Sequence, residues 1–219
     1  EAMLKFWETA PPVMGGASFN LPDFENTKSW LKSIPQRLFF IDNRQFGRVK
    51  RSGFNTPIWN VKTDSNTQWL GGGYTVWRKQ VFDHLKFDEW FAGSGLWEDV
   101  RFSHQVAKNY QLAVVAQAKA THVDAPVTMD RQLHLGKTQI VNWIYFVNSN
   151  QDLSTLMCLW ACVGRTATNL IKGITRLDRG YLLRGLGNAL GLISSALGAS
   201  NARAAGGSSN QTRSRSFSK

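Results

Sequence analysis

The chain has 219 residues, 42% hydrophobic content and nine tryptophans, which excludes disorder over most of its length and allows one domain with a real core, or one domain with an appendage. Its net charge of +11 is uneven, because residues 1–135 carry 16 basic and 13 acidic side chains whereas residues 136–219 carry 10 and 2. The positive third points to an anionic partner, nucleic acid or a membrane surface, and the lack of any run near ~18 apolar residues argues against a simple spanning helix.

Residues 1–9 read as an amphipathic helix stopped by Pro11-Pro12, since neither proline can donate a backbone hydrogen bond or leave its predecessor helical. Val13 to Phe19 follow as a buried strand, and a helix running into a strand predicts an α/β layer. Residues 20–68 are polar and punctuated, with a brief apolar run at Phe39-Phe40-Ile41 and a hairpin signal from Gly47 to Gly53. Thr75-Val76-Trp77 is strand-like, and Val81, Phe82 and Leu85 predict a helix over Arg78–Lys86. Gly93-Ser94-Gly95 breaks the chain before a further helix starting near Trp97, whose Phe102, Val106 and Tyr110 recur every four residues. Leu112 to Ala116 is a core strand.

Past residue 136 the pattern becomes helical. Leu153, Leu156, Met157, Trp160, Val163, Leu170, Ile171 and Ile174 share one face, with Arg165, Lys172 and Arg176 elsewhere. Leu182, Leu186, Leu190, Ile193 and Leu197 define a second segment interrupted by Gly185, Gly187 and Gly191. At roughly 1 kcal/mol per interior glycine it is a poor helix unless something packs against it. From Asn201 onward the composition predicts a disordered basic tail. Cys158 and Cys162, four apart, are packing neighbours on a helix, and reduced, intracellular surroundings are the default.

Three features between Trp69 and His122 carry the chemistry. Gly71-Gly72-Gly73 is either an ordinary turn or a place where backbone approaches a bulky ligand. Glu98-Asp99 occupies the first turn of a helix, where carboxylates suit the backbone dipole. Behind a Gly-Ser-Gly hinge, Asp99 is also placed to take a proton from an incoming hydroxyl. His122 follows a strand and precedes Asp124-Ala125-Pro126, a position from which it can meet a divalent metal or a phosphate oxygen.

Together, Trp69-Leu70-Gly71-Gly72-Gly73-Tyr74-Thr75-Val76-Trp77-Arg78-Lys79, Phe87-Asp88-Glu89, Trp97-Glu98-Asp99-Val100-Arg101-Phe102-Ser103 and Thr121-His122 resemble the second half of a family 2 glycosyltransferase domain of the GT-A fold. The resemblance covers residues 1–135 and rests on the order and spacing of the set. It implies an incomplete GT-A, Rossmann-like α/β mixed sheet with helices, followed by the helical segment 136–200 and the tail 201–219. It makes Asp99 the catalytic base, with Glu98 beside it. Gly71, Gly72, Gly73, Trp97 and Arg101 become substrate-binding residues, and His122 a metal or donor-phosphate contact. The implied partners are a nucleotide-sugar donor, a hydroxyl-bearing saccharide or lipid-linked acceptor, and Mg2+ or Mn2+. The family's Asp-x-Asp motif occurs nowhere in the sequence, so the resemblance implies that the nucleotide-binding half precedes Glu1. Where relatives carry a further acid and then an arginine, this chain has Arg101 and Gln105.

Two other readings compete. In one, the basic third grips nucleic acid while tryptophans stack on bases. The mixture of its charges with a long apolar stripe, and the position of most tryptophans in the nearly neutral part, disfavour this. In the other, residues 136–200 either cover the α/β core or dock on an anionic membrane surface, which would place the protein peripherally on the cytoplasmic face.

Overall fold

The computed structural model describes residues 1–24, 36–41, 45–91, 95–123 and 127–198. The expected tail 201–219, Gly93-Ser94 of the hinge, and Asp124-Ala125-Pro126 lie outside the described residues.

Helix α1 (Ala2–Thr9) ends at an extended Ala10 ahead of Pro11, as the restriction on a residue before proline requires. Its Met3, Phe6 and Trp7 pack on Ala17, Val115 and Ala118 of the sheet. Arg78 fastens the turn that follows, donating from Nε to Met14 O (2.8 Å) and from Nη2 to the carbonyls of Ala10 and Pro11, while its guanidinium lies over the Trp7 ring.

Strands β1 (Met14–Asn20), β2 (Ser65–Thr67), β3 (Thr75–Trp77) and β4 (Gln111–Lys119) form a mixed sheet in the order β2-β4-β1-β3. β1 runs parallel to β4, and β3 and β2 pair antiparallel at the edges. β4 extends beyond the expected 112–116, and its buried centre explains the unbroken apolar run. The hairpin signal at 47–53 becomes a tight turn with a single bridge, Val49 to Asn55, and a left-handed Gly53 (φ 77°).

One expected element is corrected: Arg78–Lys86 is not an α-helix. Arg78 is held extended (φ −69°, ψ 133°) by its bonds to the α1–β1 turn, and only a 3-10 turn, Lys79–Asp83, follows. Too few residues remain before Phe87, which stacks on Phe102 at 4.1 Å, to nucleate a regular helix.

Helix α2 (Glu98–Val106) buries Val100, Phe102, Ser103 and Val106. Helices α3 (Arg131–Asn148), α4 (Thr155–Thr175) and α5 (Arg179–Ala196) complete the chain. α3 begins ahead of residue 136, so the expected boundary at 135/136 falls inside it. Trp143, Ile144, Phe146 and Val147 of α3 share a core with Ile41, Val100 and the Cys158–Cys162 side of α4. Both cysteines are free and buried, with sulfurs 4.0 Å apart.

The glycines that weaken α5 as an isolated helix are where α3 and α4 press against it. A Cβ on Gly187 would stand 2.1 Å from Leu133 O, one on Gly136 2.3 Å from Arg184 O, and one on Gly185 2.6 Å from Leu170 Cδ2. Between them Asn188 is fully buried. Its Oδ1 accepts from Asn169 Nδ2 (2.8 Å), and its Nδ2 donates to Gly136 O (3.3 Å).

Candidate active site

The carboxyl ends of the parallel strands β1 and β4 are where open α/β sheets bind ligands. Because β3 runs antiparallel with Thr75 opposite Ser18, the glycine turn just before it is brought to that same end. Gly71 is extended, and Gly72–Tyr74 form a 3-10 turn. Helix α2 clamps this turn at two points one helical turn apart. Ser103 Oγ accepts from Leu70 N–H (3.0 Å) and donates to Leu70 O (3.3 Å), and Asp99 Oδ2 accepts from Gly72 N–H (3.2 Å). Ser103 is fully buried and is the residue that pattern reasoning missed; its signal is its i+4 spacing from Asp99 on one helix face.

The three glycines differ. A Cβ on Gly71 would lie 2.4 Å from the Tyr74 hydroxyl, which folds back over it; one on Gly72 would touch Asp99 Cβ at 3.6 Å; one on Gly73 would meet nothing within 4 Å. Close approach is thus built in at Gly71, whereas a side chain at Gly72 would make only ordinary van der Waals contact and Gly73 is open.

Asp99 is half-buried, with its second oxygen, Oδ1, accepting from Val100 N–H (2.8 Å). Burial pushes its carboxyl above the ordinary value; the N–H groups of Val100 and Gly72 pull it down, and the Glu98 charge pushes the same way as burial. Burial also raises the Tyr74 phenol, and the charge of Asp99 adds to that. Glu98 and Asp99 are delivered by Trp97, which sits in the left-handed region at φ 74°, ψ −2°. A bulky residue held there stores about 1–3 kcal/mol of strain, of the kind concentrated at working sites. The ring is fixed by stacking on Trp143 at 5.0 Å and on Phe146.

A cleft of about 450 Å³ opens here, lined by Gly72, Phe87 and the segment from Gly95 to Asp99. Phe87 and Trp97 give it apolar sides, and the two carboxylates are its charged groups. That combination, apolar walls with a few convergent polar atoms, is what small-molecule sites share.

Four expected site residues stand apart from the cleft lining: Gly71 and Gly73 of the turn, Arg101 and His122. Arg101 pairs with Asp88 (3.0 Å), lies over the Tyr145 ring, and so ties α2 to α3; Asp88 also accepts from Tyr145 Oη (2.9 Å) and Trp90 N–H (3.0 Å). His122 is exposed just past β4, with its ring edge-on to those of Tyr74 (6.1 Å) and Phe24 (6.2 Å). Tyr74 therefore stands between His122 and Asp99, bringing the glycine turn, the acidic pair and the histidine to one end of the sheet. Among the described residues no group of three or more His, Cys, Asp or Glu could hold a metal ion. These residues alone do not fit Mg2+ or Mn2+.

Comparison with family models, with curated proteins and with solved structures gave no match.

Proposed function

We propose that this cleft carries the acceptor side of a glycosyl transfer, with Asp99 as general base. The observation that carries the reading is the seat of Asp99. Its carboxylate is half-buried in an open cleft between aromatic walls, anchored by the N–H groups of Gly72 and Val100 at the carboxyl ends of parallel strands. The ordered resemblance of the flanking motifs to family 2 glycosyltransferases supports the class of reaction.

In the proposed step an acceptor hydroxyl enters the cleft and gives its proton to the Asp99 carboxylate. The freed oxygen attacks the anomeric carbon of a nucleotide-activated sugar, and the bond from that carbon to the diphosphate oxygen breaks, the electron pair leaving with the diphosphate. A base of raised pKa is suited to this, because proton affinity increases as the carboxyl moves toward the working pH. Glu98 raises that affinity further by like-charge repulsion. Trp97 and Phe87 offer flat faces on which an acceptor can rest, and their fixed stacking on Trp143 and Phe102 means that no order need be created on binding. The test is diphosphonucleoside release from a panel of nucleotide sugars with saccharide and lipid-linked acceptors, wild type against Asp99→Asn. Release that requires acceptor and vanishes in the variant supports the reading; equal release in both sinks it.

A further inference from the structure

The outer surface of α4 and α5 has the polarity of a helix pair turned inside out. On α4 the buried positions are Cys158, Ala161, Cys162, Gly164, Thr166, Asn169 and Gly173, with Gly164 lying under the Phe39 ring. The exposed ones are Leu156 (79%), Trp160, Val163, Ile171 and Ile174 (66%). Five of the eight residues of the apolar stripe legible in the sequence therefore face outward, while Leu153, Met157 and Leu170 are half-buried. α5 repeats the arrangement: Gly185, Gly187, Asn188 and Gly191 are buried, while Leu186, Leu190, Ile193 and Leu197 are exposed. In water the larger hydrophobes belong inside, because burying them is what drives packing. Here the helices are held by close backbone approach at glycine and by the buried Asn169–Asn188 hydrogen bond. Those are the means helices use when the medium around them is apolar.

The turn between the two helices identifies that medium's surface charge. Leu177, left-handed at φ 52° and 92% exposed, forms its tip. Lys172, Arg176 and Arg179 flank it, and the nearby acid, Asp178, spends its carboxylate on capping α5 through Tyr181 N–H. Further back, Arg165 lies beside Arg184, with burial and the neighbouring positive charge both lowering its pKa. Among the described residues from 136 onward, six basic side chains face two acids. Among those residues no helix is long and apolar enough to cross a membrane.

We infer that the α4–α5 outer face lies in the interface of a lipid bilayer, its leucine and isoleucine side chains among acyl chains and the Arg176–Arg179 turn against anionic headgroups. A second copy of the chain would cover the apolar face equally well but would bring a like charge of +11 toward it, so charge complementarity selects the anionic membrane. This docking does not depend on the chemistry of the cleft.

Flotation of the full chain with phosphatidylcholine vesicles, and with phosphatidylcholine mixed with phosphatidylglycerol, tests it. Wild type floats with the anionic vesicles and less with the neutral ones. Arg176→Ser with Arg179→Ser lowers anionic-vesicle affinity by roughly fivefold for each arginine. Ile171→Glu with Ile174→Glu abolishes flotation while leaving the circular-dichroism melt unchanged, since both side chains are exposed. Wild type remaining unbound to both vesicles overturns the proposal, as does a glutamate variant that floats like wild type. A wild-type dimer in light scattering that the glutamate pair converts to monomer also overturns it, and assigns the face to a second copy.

Discussion

Replacing Asp99 by asparagine separates its chemical role from its structural one. The carboxylate now accepts from both Gly72 N–H and Val100 N–H. An asparagine can accept only one of these with its carbonyl oxygen, and its amide group must face the other N–H. Losing one hydrogen bond to a charged acceptor costs about 1.5–3 kcal/mol. Against that stands relief of the burial that now disfavours the ionised carboxyl. These terms oppose each other, so the melting temperature at neutral pH should move little. Their balance should depend on pH in a defined direction. A carboxyl whose pKa is raised on folding binds more protons folded than unfolded, so it imposes no penalty below the unfolded value, and stability is lost as pH rises toward the folded one. Asp99→Asn lacks this loss. Relative to wild type, the variant should therefore gain stability as pH rises from the unfolded carboxyl's range through the raised folded value. Turnover should respond differently, since a positioned general base contributes about 10²- to 10⁴-fold. The assay is diphosphonucleoside release across pH alongside thermal melts in the same buffers. In wild type the acid limb of kcat/KM should lie above that of an ordinary aspartate. Turnover within a few fold of wild type in a variant that melts normally would refute the assignment of Asp99 as base.

The remaining predictions each turn on one contact. Gly71→Ala should lower activity by displacing the Tyr74 hydroxyl that a Cβ would meet at 2.4 Å, whereas Gly73→Ala, facing open space, should leave activity intact and change stability by less than about 1 kcal/mol; equal effects in a paired activity assay would show that the turn is not organised around Tyr74. Gly187→Ala should destabilise by about 2–3 kcal/mol in a denaturant titration despite alanine's better helix propensity, because its Cβ would meet the Leu133 carbonyl at 2.1 Å and push α3 from α5. Arg101→Met should leave Asp88 without its cation on a mostly buried site (side-chain exposures 16% and 20%) and cost about 2 kcal/mol in the same titration. A raised KM with unchanged stability would instead make Arg101 a substrate contact.

How much of the site could be read in advance follows from which signals are local. Gly71-Gly72-Gly73 and Glu98-Asp99 announce a turn and a helix start by composition alone, and the Phe102–Val106 stripe supplies the buried face of α2. The same helical geometry argues against Arg101 as a companion of Asp99. Two positions along a helix turn the side chain to roughly the opposite face, and the guanidinium indeed meets Asp88 and Tyr145. Ser103 is on the correct face, but a serine inside a helix carries no hydrophobic signal, and its partner Leu70 is 33 residues away. The Arg78–Lys86 region misled for a related reason. Three apolar residues at helical spacing describe only a local preference, while the bonds from Arg78 to Met14 and Ala10 span more than sixty residues and override it.

The C-terminal helices show a different kind of ambiguity. Periodicity reports that a helix has an apolar side and a non-apolar side; it does not report which one is buried. For α4 the usual assumption puts Leu156, Trp160, Ile171 and Ile174 inward, and the structure puts Cys158, Ala161, Thr166 and Asn169 there. The deciding residues are the glycines of α5, whose helix-weakening composition makes sense only if backbones must come close. Gly187 and Gly191 face α3, Gly185 faces α4, and the buried Asn188 lies between them. Once the small residues and the paired amides define the inner face, the leucines and isoleucines have nowhere to go but outward. The cationic turn around Leu177 beside them is what makes an anionic membrane surface the proposed partner.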